Sequence, residues 1–579
     1  MIYLLVLYGL ITVACFFAGH IFYAMLPGPE NKDRNYQKPL ISYLLTGLML
    51  ITILGQWVVL VFPLNLFSLL VICIFLFFLG LVYRKKISFR TSAFRLFPPE
   101  KNRIFFCLFF ILLLMILTLN AGPTIMDDTD SYHIQMIKWA RDLGSIPGIA
   151  NLHLRFGFNS SWFVSCALLS PQIKGINGYL ALNGLLSVWI SFYLLEKVIG
   201  GISKTSGRRD LAISVASGLV LLFCLGVWPM IRGNAATANY DFITTCCILA
   251  LFIESFLSGP SSIFQEWMIW PVFLFTVRII NYPLLLLSLF LLFRYVKTGK
   301  MSGLITFALA GLIVVAPFLI RNTILSGYPL FPVYQLDLFS FDWKSDKQLV
   351  IKIVNYIRYF NRVNIQSQPI AVTSQLAFPN WTVSWYHFLF VYDKILTTLS
   401  ICCYFLVFIF WKKLRQSVNP YTLFFLLVFF LQLISWFFIA PDPRFVYGPL
   451  LGGIFTIAFL GGSAAPVPYP AVARFTGALL VVVSLLTLFY TGSKMIRDKN
   501  YRNWLVPRAV PVPSVRQIRL GGVQLNIPEK ILDNWNPRCY DSPLPCLYQL
   551  DPRLRLRGNS IRAGFKIDNQ NPGGPFTEY

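Results

Sequence analysis

Residues 41–62 read ISYLLTGLMLITILGQWVVLVF, a run without one charged side chain. As a helix rising about 1.5 Å per residue, such a run spans the roughly 30 Å of bilayer hydrocarbon. Phe105–Leu119, Leu219–Trp228, Leu304–Ile320 and Phe475–Phe489 do the same once their flanks are added. One such run would be an anchor. This many dictate an α-helical polytopic membrane protein, because backbone in lipid must satisfy its own hydrogen bonds. Composition agrees, with 56% of the 579 residues hydrophobic and 13% charged; soluble chains average about 25% charged. The first 25 residues are read as the first span and not as a cleaved signal. No Lys or Arg precedes that run, and no small-x-small site closes it.

The formal net charge is +25. A nucleic-acid surface would gather its cations on one soluble face. Here they are scattered between spans, so no nucleic-acid partner is expected. Many of them orient the chain, since Lys and Arg collect in cytoplasmic loops. The densest basic loop, Arg84 to Arg103, is therefore placed in the cytoplasm. Alternating the spans from there puts Lys197–Arg209, Arg294–Lys300 and Trp411–Arg415 on the same side. This requires 266–296 to be two short spans broken around Asn281-Tyr282-Pro283. The count is then about fourteen spans, with both termini outside. A single long span at 266–296 would flip every later loop.

This alternation divides the chain into N-terminal spans and a cytoplasmic loop (1–103), a transmembrane core (104–490) and an extracytoplasmic tail (491–579). Outer loops 121–175 and 321–386 are too long to be turns. The tail is expected to be a small β-rich domain. Val515–Leu520 and Val523–Ile527 flank Gly521-Gly522 as a hairpin, and Arg553–Ile567 repeats the pattern more weakly. Nine of the 11 cysteines lie in apolar runs and act as small hydrophobes. Cys539 and Cys546 lie in the polar tail, where they either close a small disulfide loop in an oxidising compartment or are two unrelated thiols.

The segment richest in chemistry is Met126-Asp127-Asp128-Thr129-Asp130-Ser131-Tyr132-His133. Three carboxylates in four residues repel one another unless a cation offsets them. Asp128 and Asp130 have the spacing to share a divalent metal such as Mg or Mn. Any of Asp127, Asp128 and Asp130 could instead act as a general base, and acids also suit a helix N-terminus. Residues 132–143 read as an amphipathic helix in the membrane interface. A loop carrying His153, Arg155 and several aromatics follows. Arg232 and Asp241 flank the next outer loop, Arg321 lies at a span exit, and Arg444 sits in the tight turn Ala440-Pro-Asp-Pro-Arg-Phe445. Arginines at that depth either snorkel to headgroups or grip a phosphate. Three on the same face as an acidic cluster point to an anionic substrate. His133, His153 and His387 also fall outside, without a zinc-like spacing.

This order of span, acidic motif, interfacial helix and basic outer loops resembles the glycosyltransferase C superfamily. DDTDSYH, NLHLRFGFNSSWF, PFLIRNTILSGYPLFP and APDPRF, with the cysteine-containing tail, look more closely like a family of bacterial integral membrane proteins. The superfamily resemblance implies transfer of a sugar from a polyprenyl-phosphate-linked donor to a glycan, lipid or protein acceptor. The site would face the periplasm or exterior from a bacterial cytoplasmic membrane. It assigns Asp127, Asp128 or Asp130 to acceptor activation or metal binding, Arg444 and then Arg321 to the donor phosphate, and Asp241 to a second carboxylate. About three extra spans before the acidic motif depart from the superfamily pattern. The rival readings are a flippase of lipid-linked glycans, with Arg278 and Glu196, near span ends, as its candidate intramembrane charges, and a glycan polymerase.

Overall fold

The computed structural model describes the chain except residues 27–37, 88–98, 171–175, 177, 202–206, 258–262, 298–300, 361, 363–377, 465–468, 530–537, 548, 569–576 and 579. Among the described residues, 12 helices are long and apolar enough to cross a membrane. The chain is a polytopic α-helical membrane protein. In order, its main helices are Ile2–Met25 (α1), Leu40–Val58 (α2), Leu66–Tyr83 (α3), Pro99–Asn120 (α4), Ala181–Gly200 (α5), Arg208–Gly226 (α6) and Tyr240–Leu257 (α7). There follow Phe264–Val277 (α8), Leu285–Lys297 (α9), Met301–Ser326 (α10), Val391–Ile409 (α11), Pro420–Ile439 (α12), Tyr447–Ala464 (α13) and Tyr469–Arg497 (α14). Helices α2, α5, α7 and α13 fill the middle of the bundle, whereas α3, α10 and α14 turn most of their apolar surface outward.

The expected break at 266–296 is present. Helices α8 and α9 have 14 and 13 residues and fold back on each other around Ile279–Leu284. At one end of α8, Glu266 pairs with Lys38 at 2.7 Å; at the other, Arg278 pairs with Asp241. The hairpin therefore runs between the same two levels as its neighbours. Proline decides how it closes. Pro271 has no N–H for the Trp267 carbonyl, and Ser288 Oγ donates to that oxygen at 2.9 Å. In α10, Pro317 likewise leaves the Ile313 carbonyl open, and Trp57 Nε1 donates to it at 3.0 Å. Helices α1 and α2 meet through Gly19 and Gly47: a Cβ on either would collide with the backbone of Tyr43 or Cys15. Small residues at a crossing let helices approach without a hydrophobic driving force.

The alternation read from the basic loops sorts the two ends. Lys38–Glu266 and Lys197–Glu254 (3.0 Å) lie at one end. Asp128, Arg155, Asp241, Arg278 and Arg444 meet at the other.

Among the described residues, the tail contains three two-stranded antiparallel pairs. β1 (Val515–Leu520) and β2 (Val523–Pro528) pair as expected, with Leu520 opposite Val523. Gly521 and Gly522 have φ of 56° and 83°, the left-handed backbone of a two-residue hairpin turn. Leu554–Leu556 pairs with Phe565–Ile567 through a longer connection than the sequence suggested. The tail is fastened to the bundle: Ile2 and Tyr3 donate backbone N–H groups to Trp504 and Leu505, and Asn151 Nδ2 donates to the Phe565 carbonyl at 3.2 Å.

Candidate active site

Helix α4 ends at Asn120, and Pro123 prevents its continuation. The chain restarts at Asp127 and stays helical to Leu143, with π-helical turns at Thr129–His133 and Trp139–Leu143. A π turn adds a residue to the ring and re-aims the side chains around it, a feature frequent at functional sites. Residues 129–141 are all buried. The helix is thus not an amphipathic strip on the membrane surface. One face packs on the bundle, where the His133 ring meets Phe163 and Tyr240, and the tail covers another. The apolar stripe was legible, but the cover was not.

Asp128 stands at the centre of the site. Arg155 Nη1 donates to its Oδ1 at 3.4 Å, and Arg444 Nη1 donates to its Oδ2 at 3.3 Å. Arg444 also faces Asp442 at 2.7 Å and Asp241 at 3.9 Å. Arg278, at the tip of the α8–α9 hairpin, pairs with Asp241 and lies over the Phe445 ring. The Tyr132 and Tyr240 hydroxyls are 3.4 Å apart, and Arg155 lies over the Tyr132 ring. Three arginines thus answer three carboxylates. The Asp128 and Arg444 side chains are 26% and 30% exposed, against 6% for Asp241. The first pair can meet a ligand, while Asp241 anchors arginines from behind.

The two aspartates of the motif differ electrostatically. Burial pushes the Asp128 carboxyl up, but Arg444 and then Arg155 and Arg278 outweigh it and hold it at about 2. Burial raises Asp130 to about 7, with the Thr124 hydroxyl and Arg538 opposing and Asp127 adding to the rise. Burial lowers His133 to about 3; Asp128 opposes this, and the three arginines reinforce it. His133 is therefore a neutral imidazole, with Nδ1 3.2 Å from the Thr129 hydroxyl.

The model of the DUF8201 family, described as a domain of unknown function, matches residues 1–451. The chain belongs to the DUF8201 family. No curated protein and no solved structure matches it. The DUF8201 match takes in Asp128, Arg155, Asp241, Arg278 and Arg444, and it ends before the tail.

Several other candidate residues lie apart from this DUF8201 cluster. Asp127 is exposed and pairs with Arg538 of the tail at 2.5 Å, and Asp130 faces the same arginine at 3.8 Å. His153 turns inward, accepting the Arg155 backbone N–H on Nδ1 at 3.2 Å. Arg232 donates to the Gly226 carbonyl at 2.5 Å and lies over Tyr490. His387 is exposed against Phe388. Arg321 is buried beside Asn159. Asp128 and Asp130 each face their own arginines, and no three His, Cys, Asp or Glu side chains among the described residues stand close enough to hold a metal ion. The donor set does not fit a resident Mg or Mn ion, and no step below runs through one.

Sequence reasoning missed three parts. Arg278 read as a candidate intramembrane charge near a span end and was not joined to the site, although the Asn281-Tyr282-Pro283 break beside it was the signal for a hairpin tip. Asp442, two residues before Arg444, went unremarked. The third part is the tail's grip on the acidic motif. Cys539 and Cys546 form a disulfide. Within that loop, the Tyr540 N–H donates to the Asp130 carbonyl at 2.8 Å. Gln135 Nε2 donates to the Tyr540 and Ser542 carbonyls at 3.1 and 3.2 Å. Lys138 Nζ donates to Asp541 Oδ1 at 2.9 Å and to the Ser542 carbonyl at 2.7 Å. Tyr540 reaches this position with φ at 43°, a backbone shape that costs a non-glycine residue about 1–2 kcal/mol.

Proposed function

We propose that this protein is a membrane glycosyltransferase that moves a sugar from a polyprenyl-phosphate-linked donor to an acceptor hydroxyl at the non-cytoplasmic face. The observation that carries this reading is Asp128 set between Arg155 and Arg444 at a partly open mouth, on the end of the bundle away from the basic loops. Guanidinium groups grip phosphate oxygens in a fork. A donor phosphate entering the mouth competes with the Asp128 carboxylate for both arginines. That exchange frees Asp128 and removes the ion pairs that hold its carboxyl near 2. Binding the donor thereby turns a poor base into a usable one beside the reacting bond.

The acceptor oxygen then attacks the anomeric carbon as the bond from that carbon to the phosphate oxygen breaks. The acceptor proton passes to Asp128, and the electron pair leaves on the lipid phosphate. Arg444 and Arg155 stabilise the charge that develops there. Attack from the face opposite the leaving group inverts the anomeric centre. The flippase reading leaned partly on Arg278, which lies at the hairpin tip paired with Asp241.

The reading is tested by supplying the purified protein, in bacterial membrane vesicles, with a panel of radiolabelled polyprenyl-phosphate sugars. Label should move from the lipid to a membrane glycan with at least one donor, and half-saturating donor concentration should rise in Arg444→Gln. Transfer by none of the donors would remove the proposal.

A further inference from the structure

Arg321 is 1% exposed, the most buried cation among the described residues. Its Nη1 donates to Asn159 Oδ1 at 2.8 Å, and the same amide donates Nδ2 to the Phe318 carbonyl at 3.1 Å. Its Nε is buried with no hydrogen-bond partner. No carboxylate pairs with it among the described residues. The next residue, Asn322, is 0% exposed, and neither of its amide atoms has a partner. The other buried cations are answered. Lys138 has Asp541, Arg141 has Asp142, and Arg362 donates to the Phe438 carbonyl and lies on Trp381. An arginine cannot shed its proton. A buried guanidinium facing only a neutral amide therefore leaves a positive charge and a donor unanswered, an arrangement that folding disfavours unless an anion completes it.

We infer that Arg321, with Asn159, holds the oxyanion group of a ligand, a phosphate or a carboxylate. The guanidinium supplies the charge and a free Nε–H. The inference does not depend on sugar transfer: it would stand if that reading fell. The residues of α10 turned outward include Leu309, Leu312, Ile313 and Ile320. Acyl chains lying along that face would bring a lipid headgroup to the level of Arg321, so a headgroup phosphate and a free phosphate share the chemistry.

Thermal unfolding of the full-length protein separates the sources. The first arm uses detergent-solubilised protein with inorganic phosphate against chloride at fixed ionic strength. The second uses nanodiscs of phosphatidylglycerol against phosphatidylcholine. The midpoint should rise by a few degrees in at least one arm. The rise should vanish in Arg321→Gln and persist in Arg444→Gln. A rise in the first arm identifies a free oxyanion, and one in the second alone identifies a lipid headgroup. If Arg321→Gln fails to yield folded protein, Asn159→Leu, which removes the amide that orients the guanidinium, replaces it, and the rise should shrink. An unmoved wild type in both arms overturns the inference, as does an equal rise in the Arg321 variant. A rise lost only in Arg444→Gln also overturns it, and leaves the transfer site intact.

Discussion

At the residue scale, Asp128 and Asp130 show how two carboxylates two positions apart acquire opposite properties. Asp128 is ionised because three arginines reach it, from the 153–157 loop, the hairpin tip and the APDPRF turn. Asp130 lies beneath the tail, where burial outweighs its one arginine. Its carboxyl stands at about 7 in the folded protein against 3.8 when exposed. The folded state then holds a proton that the unfolded state has lost, so Asp130 lowers stability progressively as pH rises from about 4 to 7. Asp130→Asn removes that slope. Thermal midpoints of wild type and variant should diverge as pH rises through this range, with the variant the more stable at pH 8; parallel curves would contradict the assignment. Asp128 has the opposite sign. Its stabilising contribution is present above 3.8 and is lost as pH falls through about 2. That Asp128 and Arg444 fall at the same end of the bundle was legible in the sequence, because each stands just past the end of a span. Their contact was an expectation that geometry had to supply. Which aspartate of the three would meet the arginines was not legible, because it depends on a π turn that no local propensity announces.

At the element scale, the disulfide loop of the tail acts on the acidic motif. The Tyr540 N–H donates to Asp130, and Gln135 and Lys138 donate back to Tyr540, Asp541 and Ser542, joining chain segments about four hundred residues apart. Opening the loop with Cys539→Ser and Cys546→Ser should cost about 2 kcal/mol and speed amide exchange across residues 127–138, leaving α7 and α13 protected. Unchanged exchange in 127–138 would show that the loop merely covers the motif. The β1–β2 hairpin was readable because two glycines between alternating strands permit one turn. The covered helix was misread as interfacial because an apolar stripe looks the same under lipid and under a folded tail. The hairpin at 266–296 was readable from Asn281-Tyr282-Pro283, and the fate of Arg278 follows from it.

At the scale of the whole molecule, the charge pattern has two ends. Lys38–Glu266 and Lys197–Glu254 tie one end, and the arginine–aspartate cluster forms the other. A topology reporter fused after Arg415 should read as cytoplasmic, and one fused after Tyr579 as extracytoplasmic. The reverse pair would turn the site toward the cytoplasm and remove the outward-facing half of the proposal. The N-terminal spans lie within the matched family region, and α1 and α2 pack into the same core as α5. They are part of the scaffold. The bundle thus brings together, at one end, side chains drawn from most of its length. The account turns on Asp128. Sugar transfer from a polyprenyl-phosphate donor should be compared in wild type, Asp128→Asn and Asp127→Asn at equal folded protein. The account predicts a loss of about 100-fold or more in Asp128→Asn, in the range typical of a missing general base, with Asp127→Asn near wild type. Undiminished transfer in Asp128→Asn would contradict it.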